Sequence, residues 1–153
     1  MKVHPLLGIR LKDDDVIDLL EQDDVAVTYD FDRSHENIPD RYWAAAREEG
    51  YQLRFNAEQV LDTIFLYAQS LNGFEAIDRA RIDDIEFFDS PVEVETHCKA
   101  SQEQFTKGRA SGMFGLPPTE WVRIEASDRT IHYEFRDGEL ALVTLSARQP
   151  KEM

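Results

Sequence analysis

The segment of residues 121–147 constrains the fold of this chain more than any other. Apolar and polar residues alternate over residues 131–135, with the two-residue period of a strand that buries one face. The dipeptide Asp137-Gly138 follows, and it suits a two-residue turn because glycine tolerates a positive φ. The apolar run over residues 140–145 predicts a returning strand, and residues 121–127 predict a strand before both. We therefore expect a three-stranded antiparallel meander at this end of the chain.

A similar pattern lies about 80 residues upstream. A shift of 80 places Tyr51, Leu53 and Phe55 on the alternating residues of the later hairpin, and it places Val60 and Phe65 on Leu140 and Leu145. Helix-like stretches precede both hairpins. An internal duplication would explain this arrangement, because one such unit buries little surface by itself. Coincidence is the alternative, since any two amphipathic hairpins share the same period.

These patterns predict the fold class. We expect an α+β protein in which helices pack on one face of antiparallel sheet, with two tandem helix-plus-meander units if the repeat is real. The units would span residues 12–70 and 90–149. A chain of 153 residues can bury one sizeable core, so residues 1–153 are predicted to form a single domain.

Local signals in the first half predict a series of short elements. Asp13 and its two neighbours suit the start of a helix that ends near Gln22, since acidic side chains favour a helix N-terminus. Residues 25–31 alternate as a strand. Pro39 suits the first turn of a second helix, which Gly50 would end. A hairpin is then expected over residues 51–69.

In the second half, residues 85–88 predict a short apolar strand. The run Ser90-Pro91-Val92-Glu93 combines an N-cap serine, a proline at the first helical position and a glutamate at the third, which predicts a helix. Its apolar spacing extends to Lys107, with Gly108 as the stop. Residues 108–120 hold three glycines and two prolines and predict a mobile loop. Met113 and Phe114 within this loop either fold back over the core or face a partner.

Charge is distributed unevenly along the chain. The net charge is −14, and residues 12–40 contribute −9 of it while residues 75–95 contribute −6. Phosphate-bearing partners would be repelled, so neither nucleic acid nor an anionic membrane is expected. A basic protein partner is the natural complement, although an acidic surface can also serve solubility alone. The predicted partner-binding residues are Asp23, Asp24, Asp30, Asp32, Glu36, Asp83, Asp84 and Trp121.

Sequence motifs of catalysis and of metal binding are absent. No HExxH, CxxC pair, P-loop, GxGxxG or GxSxG occurs, and the four histidines are scattered. His132 is expected to be structural, Cys98 a small buried hydrophobe, and Trp43 and Trp121 either packing residues or interface anchors. We therefore expect no catalytic residues, no metal and no cofactor, and we predict that the protein is not an enzyme.

The expected compartment is the cytoplasm. The single cysteine cannot form an internal disulfide and fits a reducing environment. The first fifteen residues lack a long apolar run, so neither a signal peptide nor a membrane span is expected there.

Several motifs together resemble a family of small bacterial immunity proteins encoded beside polymorphic toxins. They are HPLLG near the start, DDDVIDLLEQ, Tyr42-Trp43 with Gly50 and YQLRF, TIFLYAQ, DSPVEV, and Trp121 and Arg123 with IHYEF and LVTLSA. The tandem unit is also similar to that of the β-lactamase-inhibitor-like fold. The chain has KASQEQF where related sequences tend to carry Gly-x-Pro after the second helix.

The resemblance implies a protein that binds and neutralises a cognate toxin, such as a nuclease, by covering its cationic active site. The family fixes no toxin-contacting residues, so none is carried over. One alternative is a small enzyme or ligand-binding domain with a pocket near the 108–120 loop. Another is a chaperone or adaptor without a toxin partner.

Overall fold

The computed structural model describes residues 1–30, 40–112 and 114–148 of the chain. Within this part the chain forms two α-helices and eight β-strands, which confirms the α+β class. The elements are α1 (Asp14–Gln22), β1 (Val27–Asp30), β2 (Arg41–Ala46), β3 (Tyr51–Phe55), β4 (Leu61–Tyr67), α2 (Pro91–Ser101), β5 (Phe105–Ala110), β6 (Thr119–Glu125), β7 (Arg129–Arg136) and β8 (Glu139–Ala147).

All eight strands belong to one antiparallel sheet in the order β1-β2-β3-β4-β8-β7-β6-β5. Each half of the chain is a helix followed by a four-stranded meander, and the halves join where β4 pairs with β8. The predicted meander is confirmed as β6, β7 and β8, and β5 extends it by a fourth strand. Because β4 and β8 run in opposite directions, the halves are related by an approximate two-fold axis between these strands.

The strand pairings show which residues are equivalent in the two halves. Phe55 pairs with Leu61 next to a β-bulge, and Phe135 pairs with Leu140 next to a bulge at the same place. The predicted shift of 80 therefore holds between β3 and β7. Between β4 and β8 the shift is 79, because the second connection is one residue shorter. The predicted matches of Val60 with Leu140 and of Phe65 with Leu145 are therefore wrong by one residue: Leu61 is equivalent to Leu140, and Phe65 to Thr144.

The hydrophobic core lies between the helices and one face of the sheet. The inward residues of the strands, such as Leu53, Phe55 and Phe135, form a single buried cluster with Val16 of α1 and Val94 of α2. Both helices therefore pack on the same face, as predicted. At about 25 cal/mol per Å² of buried apolar surface, this layer is the main stabilising contribution to the fold.

Side chains at both helix starts provide the predicted caps. Asp13 accepts a hydrogen bond from the backbone N–H of Asp15 at 3.0 Å, and Ser90 accepts one from Glu93 at 3.3 Å. The Glu93 carboxylate in turn accepts the N–H of Asp89 at 2.9 Å. These bonds satisfy N–H groups that have no partner within the helix.

The helix predicted between Pro39 and Gly50 is wrong, because the chain forms β2 there. Its run of alanines favours a helix, but Ala44 and Ala46 face the core opposite Leu53 and Tyr51. Sheet pairing on both sides and burial of one face outweigh a helix propensity of a few tenths of a kcal/mol per residue. Pro39 itself lies outside the described residues.

The second helix is shorter than predicted. It ends at Ser101, and Gln102 adopts a left-handed conformation with φ of 58° that stops it. Residues up to Lys107 were expected to continue the helix, but β5 begins at Phe105 and pairs along its whole length with β6. Gly108, the predicted stop, therefore lies inside a strand.

Two further predictions are corrected by the structure. Residues 85–88 form no strand, although Ile85 and Phe88 are buried in the core as an irregular segment. The loop predicted over residues 108–120 is confined to residues 111–118, because β5 and β6 take up its ends. Phe114 is 96% exposed and does not fold back over the core, whereas Met113 lies outside the described residues.

Candidate partner-binding face

One face of the sheet carries neither helix, and its residues alternate with the core residues of each strand. The register arranges these outward residues in rows that cross the strands. The middle row runs Gln52, Phe65, Thr144, His132, Arg123 and Thr106. We call this surface the open face.

Two tryptophans occupy equivalent positions on the open face. Trp43 in β2 pairs with Arg54, and Trp121 in β6 pairs with Glu134, which is the equivalent of Arg54 in the second half. Trp43 stacks on Phe65 with ring centroids 6.3 Å apart, and Trp121 stacks on His132 with centroids 5.2 Å apart. The approximate two-fold axis therefore relates two aromatic pairs, one on each half of the sheet.

The position of Trp121 depends on a glycine in the neighbouring strand. Gly108 pairs directly with Trp121, and the indole lies over its backbone. A Cβ added at Gly108 would lie 2.6 Å from three atoms of the ring. Only glycine leaves this space, so the local sequence explains why the indole lies flat against the sheet.

Charged side chains on the open face occur mostly in opposite pairs. Arg54 contacts Asp62 at 3.0 Å and Arg136 contacts Glu134 at 3.1 Å. Arg123 contacts Glu125 at 2.8 Å, and its guanidinium also lies 5.6 Å from the centre of the Trp121 ring. The face is thus close to electrically balanced, in contrast to the chain as a whole.

The titrating groups of this face have defined charge states at neutral pH. Burial lowers the pKa of His132, and the charge of Arg123 lowers it further, so the imidazole is neutral at pH 7. Burial acts to raise the pKa of Glu125, but hydrogen bonds from Arg123 and Thr106 outweigh it and hold the pKa below its ordinary value. A partner therefore meets a neutral His132 between Trp121 and the middle of the sheet.

Three of the predicted partner-binding acids have contacts inside the protein. Asp23 is nearly buried, where it accepts hydrogen bonds from the Tyr51 hydroxyl at 2.5 Å and from Arg81 at 2.6 Å. Asp83 binds the N-terminal ammonium at 2.6 Å, and Asp84 accepts the backbone N–H groups of residues 3 and 4. Their positions are thereby explained without a partner, and binding by them stays a prediction.

The remaining predicted residues lie apart from one another. Asp24 is exposed just after α1, on the helix side of the sheet, while Trp121 lies on the open face. Asp30 belongs to β1, but its side chain is not described. Asp32 and Glu36 lie outside the described residues. Among the described residues, the structure therefore does not bring Asp23, Asp24, Asp83 and Asp84 together with Trp121 into one surface.

Sequence analysis identified both tryptophans as anchor candidates but placed only Trp121 in the site. The signal for Trp43 was its polar-side position in an alternating strand, and this signal was lost because residues 40–50 were predicted to be helical. Phe65 was missed for a related reason. The shift of 80 matched it with the core residue Leu145, whereas it faces outward opposite Thr144.

A cleft near the 108–120 segment corresponds to the alternative predicted above. It has a volume of about 660 Å³ between the start of α2 and strands β5 and β6. Its charged side chains contact each other, with Lys107 at 2.8 Å from Glu95 and Arg109 at 3.1 Å from Glu120. A charged ligand would have to compete with these ion pairs.

The described ranges hold neither a metal-ligand cluster nor a membrane-spanning helix. No group of three or more His, Cys, Asp or Glu side chains in residues 1–30, 40–112 and 114–148 is placed to hold a metal ion. Neither helix in that part of the chain has the length and apolar character required to cross a membrane.

The fold and the open face define the class of protein as an α+β chain in which both helices pack on one face of a single antiparallel sheet. Searches with protein-family models, curated proteins and solved structures gave no match to this chain. The resemblance to immunity proteins therefore stays a prediction from the motifs.

Proposed function

We propose that this chain is an inhibitor of the immunity type, which binds a basic protein toxin on its open face and thereby covers the active site of the toxin. The observation that carries this proposal is the pair of equivalent tryptophans, Trp43 and Trp121, on the sheet face opposite both helices. Inhibition would be steric, so it needs no catalytic residue and no cofactor.

The dimensions of the open face support a protein rather than a small ligand as partner. Eight strands at about 4.8 Å spacing span about 34 Å, and strands of six or seven residues are about 20 Å long. The product, roughly 700 Å², is close to the roughly 800 Å² that each partner contributes to a stable complex.

The residue types on the face also support this interpretation. Tryptophan, tyrosine and arginine are enriched among the residues that dominate binding energy at protein interfaces. The open face presents Trp43 and Trp121 beside Arg54 and Arg123, and each arginine is already oriented by a carboxylate. Ordered side chains lose less conformational entropy on binding.

Charge provides the argument for a basic partner. The net charge of −14 creates a long-range field that attracts a cationic protein and accelerates encounter. The open face itself is balanced by its ion pairs, so a basic partner docked there meets no local excess of positive charge. Attraction and docking thus depend on different parts of the surface.

The experiment is co-expression of the full chain with the protein encoded by the adjacent gene in a host that this protein harms. We expect the parent chain to restore growth and to co-purify with the protein in fixed stoichiometry. The double variant Trp43→Ala/Trp121→Ala should lose both effects while its circular dichroism spectrum and melting profile stay close to those of the parent.

A matched control separates loss of docking from loss of exposed apolar surface in general. Val92→Ala/Phe114→Ala removes two exposed apolar side chains, at the start of α2 and between β5 and β6, and leaves both tryptophans in place. We expect it to protect as well as the parent. Protection lost in the control and retained in the tryptophan variant would place binding at Val92 and Phe114 rather than at the tryptophans, and no protection by the parent would refute the toxin proposal.

A further inference from the structure

A second cleft lies on the opposite side of the sheet from the open face. It has a volume of about 420 Å³ and is enclosed by the irregular segment 84–88, the residues that follow α2, and strands β6 and β7. Its apolar walls are formed by Ile85, Phe88, Ile124, Ile131 and Tyr133.

Three of the lining side chains carry aromatic rings, and Phe88 contacts the other two. Phe88 lies edge-on to Tyr133 with centroids 5.3 Å apart, and it lies 5.2 Å from the imidazole of His97. Ring faces carry partial negative charge and attract cations. The cleft thus has an apolar interior in which a positive charge is tolerated.

Tyr133 lines this cleft and carries a hydroxyl group. The residue is only 2% exposed, and its hydroxyl has no hydrogen-bond partner among the described residues. Every fully enclosed side-chain polar atom of those residues does have a partner, so this hydroxyl is not fully enclosed, and the cleft is an opening that Tyr133 lines. Burial raises the pKa of Tyr133, and the charge of Glu86 raises it further, so the group is protonated and neutral at pH 7. Its oxygen is free to accept a hydrogen bond.

The charges at the cleft favour a cation. Four carboxylates line it, from Asp84, Glu86, Glu103 and Asp128, against the single guanidinium of Arg129. That guanidinium is already occupied, because it donates to Asp128 and contacts the ring of His4 at 2.8 Å. Glu86 is exposed and has no ion-pair partner among the described residues. An anion would therefore be repelled.

From these contacts we propose that the cleft binds a primary ammonium group on an apolar stem, supplied by a free alkylamine or by a lysine side chain. The ammonium lies near Glu86 and donates to the Tyr133 hydroxyl, and the stem packs against Phe88 and Ile131. This proposal is independent of the toxin-binding role of the open face.

The test is a titration of the isoleucine-labelled full chain with n-pentylamine at pH 8, monitored by methyl NMR. At this pH a free imidazole is neutral and an alkylamine is still charged. We expect saturable shifts at Ile85, Ile124 and Ile131, with none at Ile64, which lies in the core of the other half. n-Pentanol should bind at least about tenfold more weakly because it lacks the charge.

Two variants locate the ammonium. Glu86→Gln and Tyr133→Phe should each weaken pentylamine binding about threefold or more, whereas Glu48→Gln, an exposed acid in the turn before β3, should not change it. Tyr133→Phe keeps the buried ring and removes a hydroxyl that bonds to no described residue, so folding is expected to be retained.

A third arm identifies the source of the ammonium. Binding of Nα-acetyl-lysine methylamide as tightly as pentylamine assigns the site to a protein side chain, and binding of pentylamine alone assigns it to a free amine. Equal affinity for pentylamine and pentanol, or shifts that never saturate, would overturn the proposal, because the cleft would then hold only water or any apolar molecule.

Discussion

The indole of Trp121 lies directly over the backbone of Gly108 in the adjacent strand. The orientation of this indole, flat on the open face, therefore depends on a residue that has no side chain. This dependence makes Gly108 a means of moving Trp121 without deleting it.

Substituting Gly108→Ala is expected to displace the indole, since the new Cβ would lie 2.6 Å from the ring. We expect a shift of the tryptophan emission maximum and a loss of partner affinity of about tenfold, comparable to the loss of one well-packed anchor. Ala110→Val adds methyl groups on the same face of β5, two residues away, and should change neither. Unaltered emission and affinity in Gly108→Ala would show that Trp121 has room to adjust.

The two faces of the sheet predict different costs for truncation. Phe135 is completely buried, so Phe135→Ala should lower the free energy of unfolding by about 3–5 kcal/mol. Leu142 lies in the next strand, β8, where it pairs with Glu134 on the open face, and it is partly exposed, so Leu142→Ala should cost clearly less. Urea denaturation of both variants measures the difference. Equal losses of unfolding free energy would mean that the open face is buried to the same extent as the helix-covered face.

The sequence predicts the buried residues of some strands but not of others. Strict alternation identified the buried residues of β3 and β7, because a period of two has one interpretation when turn residues bound it. It failed at β2, where Ala44 and Ala46 carry a helix-favouring composition and only the pairing with β1 and β3 decides the outcome. Local propensity does not specify which strands pair with each other.

The candidate site was predictable to a smaller extent. The acidic runs can be recognised in the sequence. The contact of Asp23 with Tyr51 and Arg81 cannot, because it joins three segments that are distant along the chain. The sequence identifies Trp43 and Trp121 as candidate interface anchors. Their equivalence follows only from the register that relates the two halves of the sheet.

The Tyr51–Asp23 contact predicts a dependence of stability on alkaline pH. Burial raises the pKa of Tyr51, and its hydrogen bond to Asp23 raises it further. The stabilisation is complete below the unfolded-state pKa of about 10 and is lost as the pH rises above it, at up to about 1.4 kcal/mol per pH unit. Tyr51→Phe should therefore be less stable at pH 8 and lose less stability between pH 9 and pH 11.

Denaturant unfolding of the parent and Tyr51→Phe across this range provides the measurement. The variant will still lose some stability at alkaline pH, because burial also raises the pKa of Tyr67 and of Tyr133. Parallel curves for the two proteins would contradict the prediction and would mean that Tyr51 ionises as readily in the folded chain as in the unfolded one.

The last prediction separates attraction from docking in the proposed complex. Asp18, Glu21 and Asp24 are exposed at α1, on the helix side of the sheet, so their charge is expected to act on a partner only at a distance. The triple variant to Asn, Gln and Asn should slow association at low salt. The deficit should shrink as salt screens interactions beyond about 8–10 Å. Asp23 is left in place, because its contact with Tyr51 and Arg81 would confuse binding with folding.

Stopped-flow kinetics with the purified partner measures both rate constants across salt concentrations. The acid variant should keep the parental dissociation rate, whereas Trp43→Ala/Trp121→Ala should dissociate faster with little change in association, since buried anchors act mainly on residence time. If the acid variant instead dissociates faster and the tryptophan variant does not, the partner must dock on the helix side. The exposed acids near α1 would then be its contacts, and the open face would need another explanation.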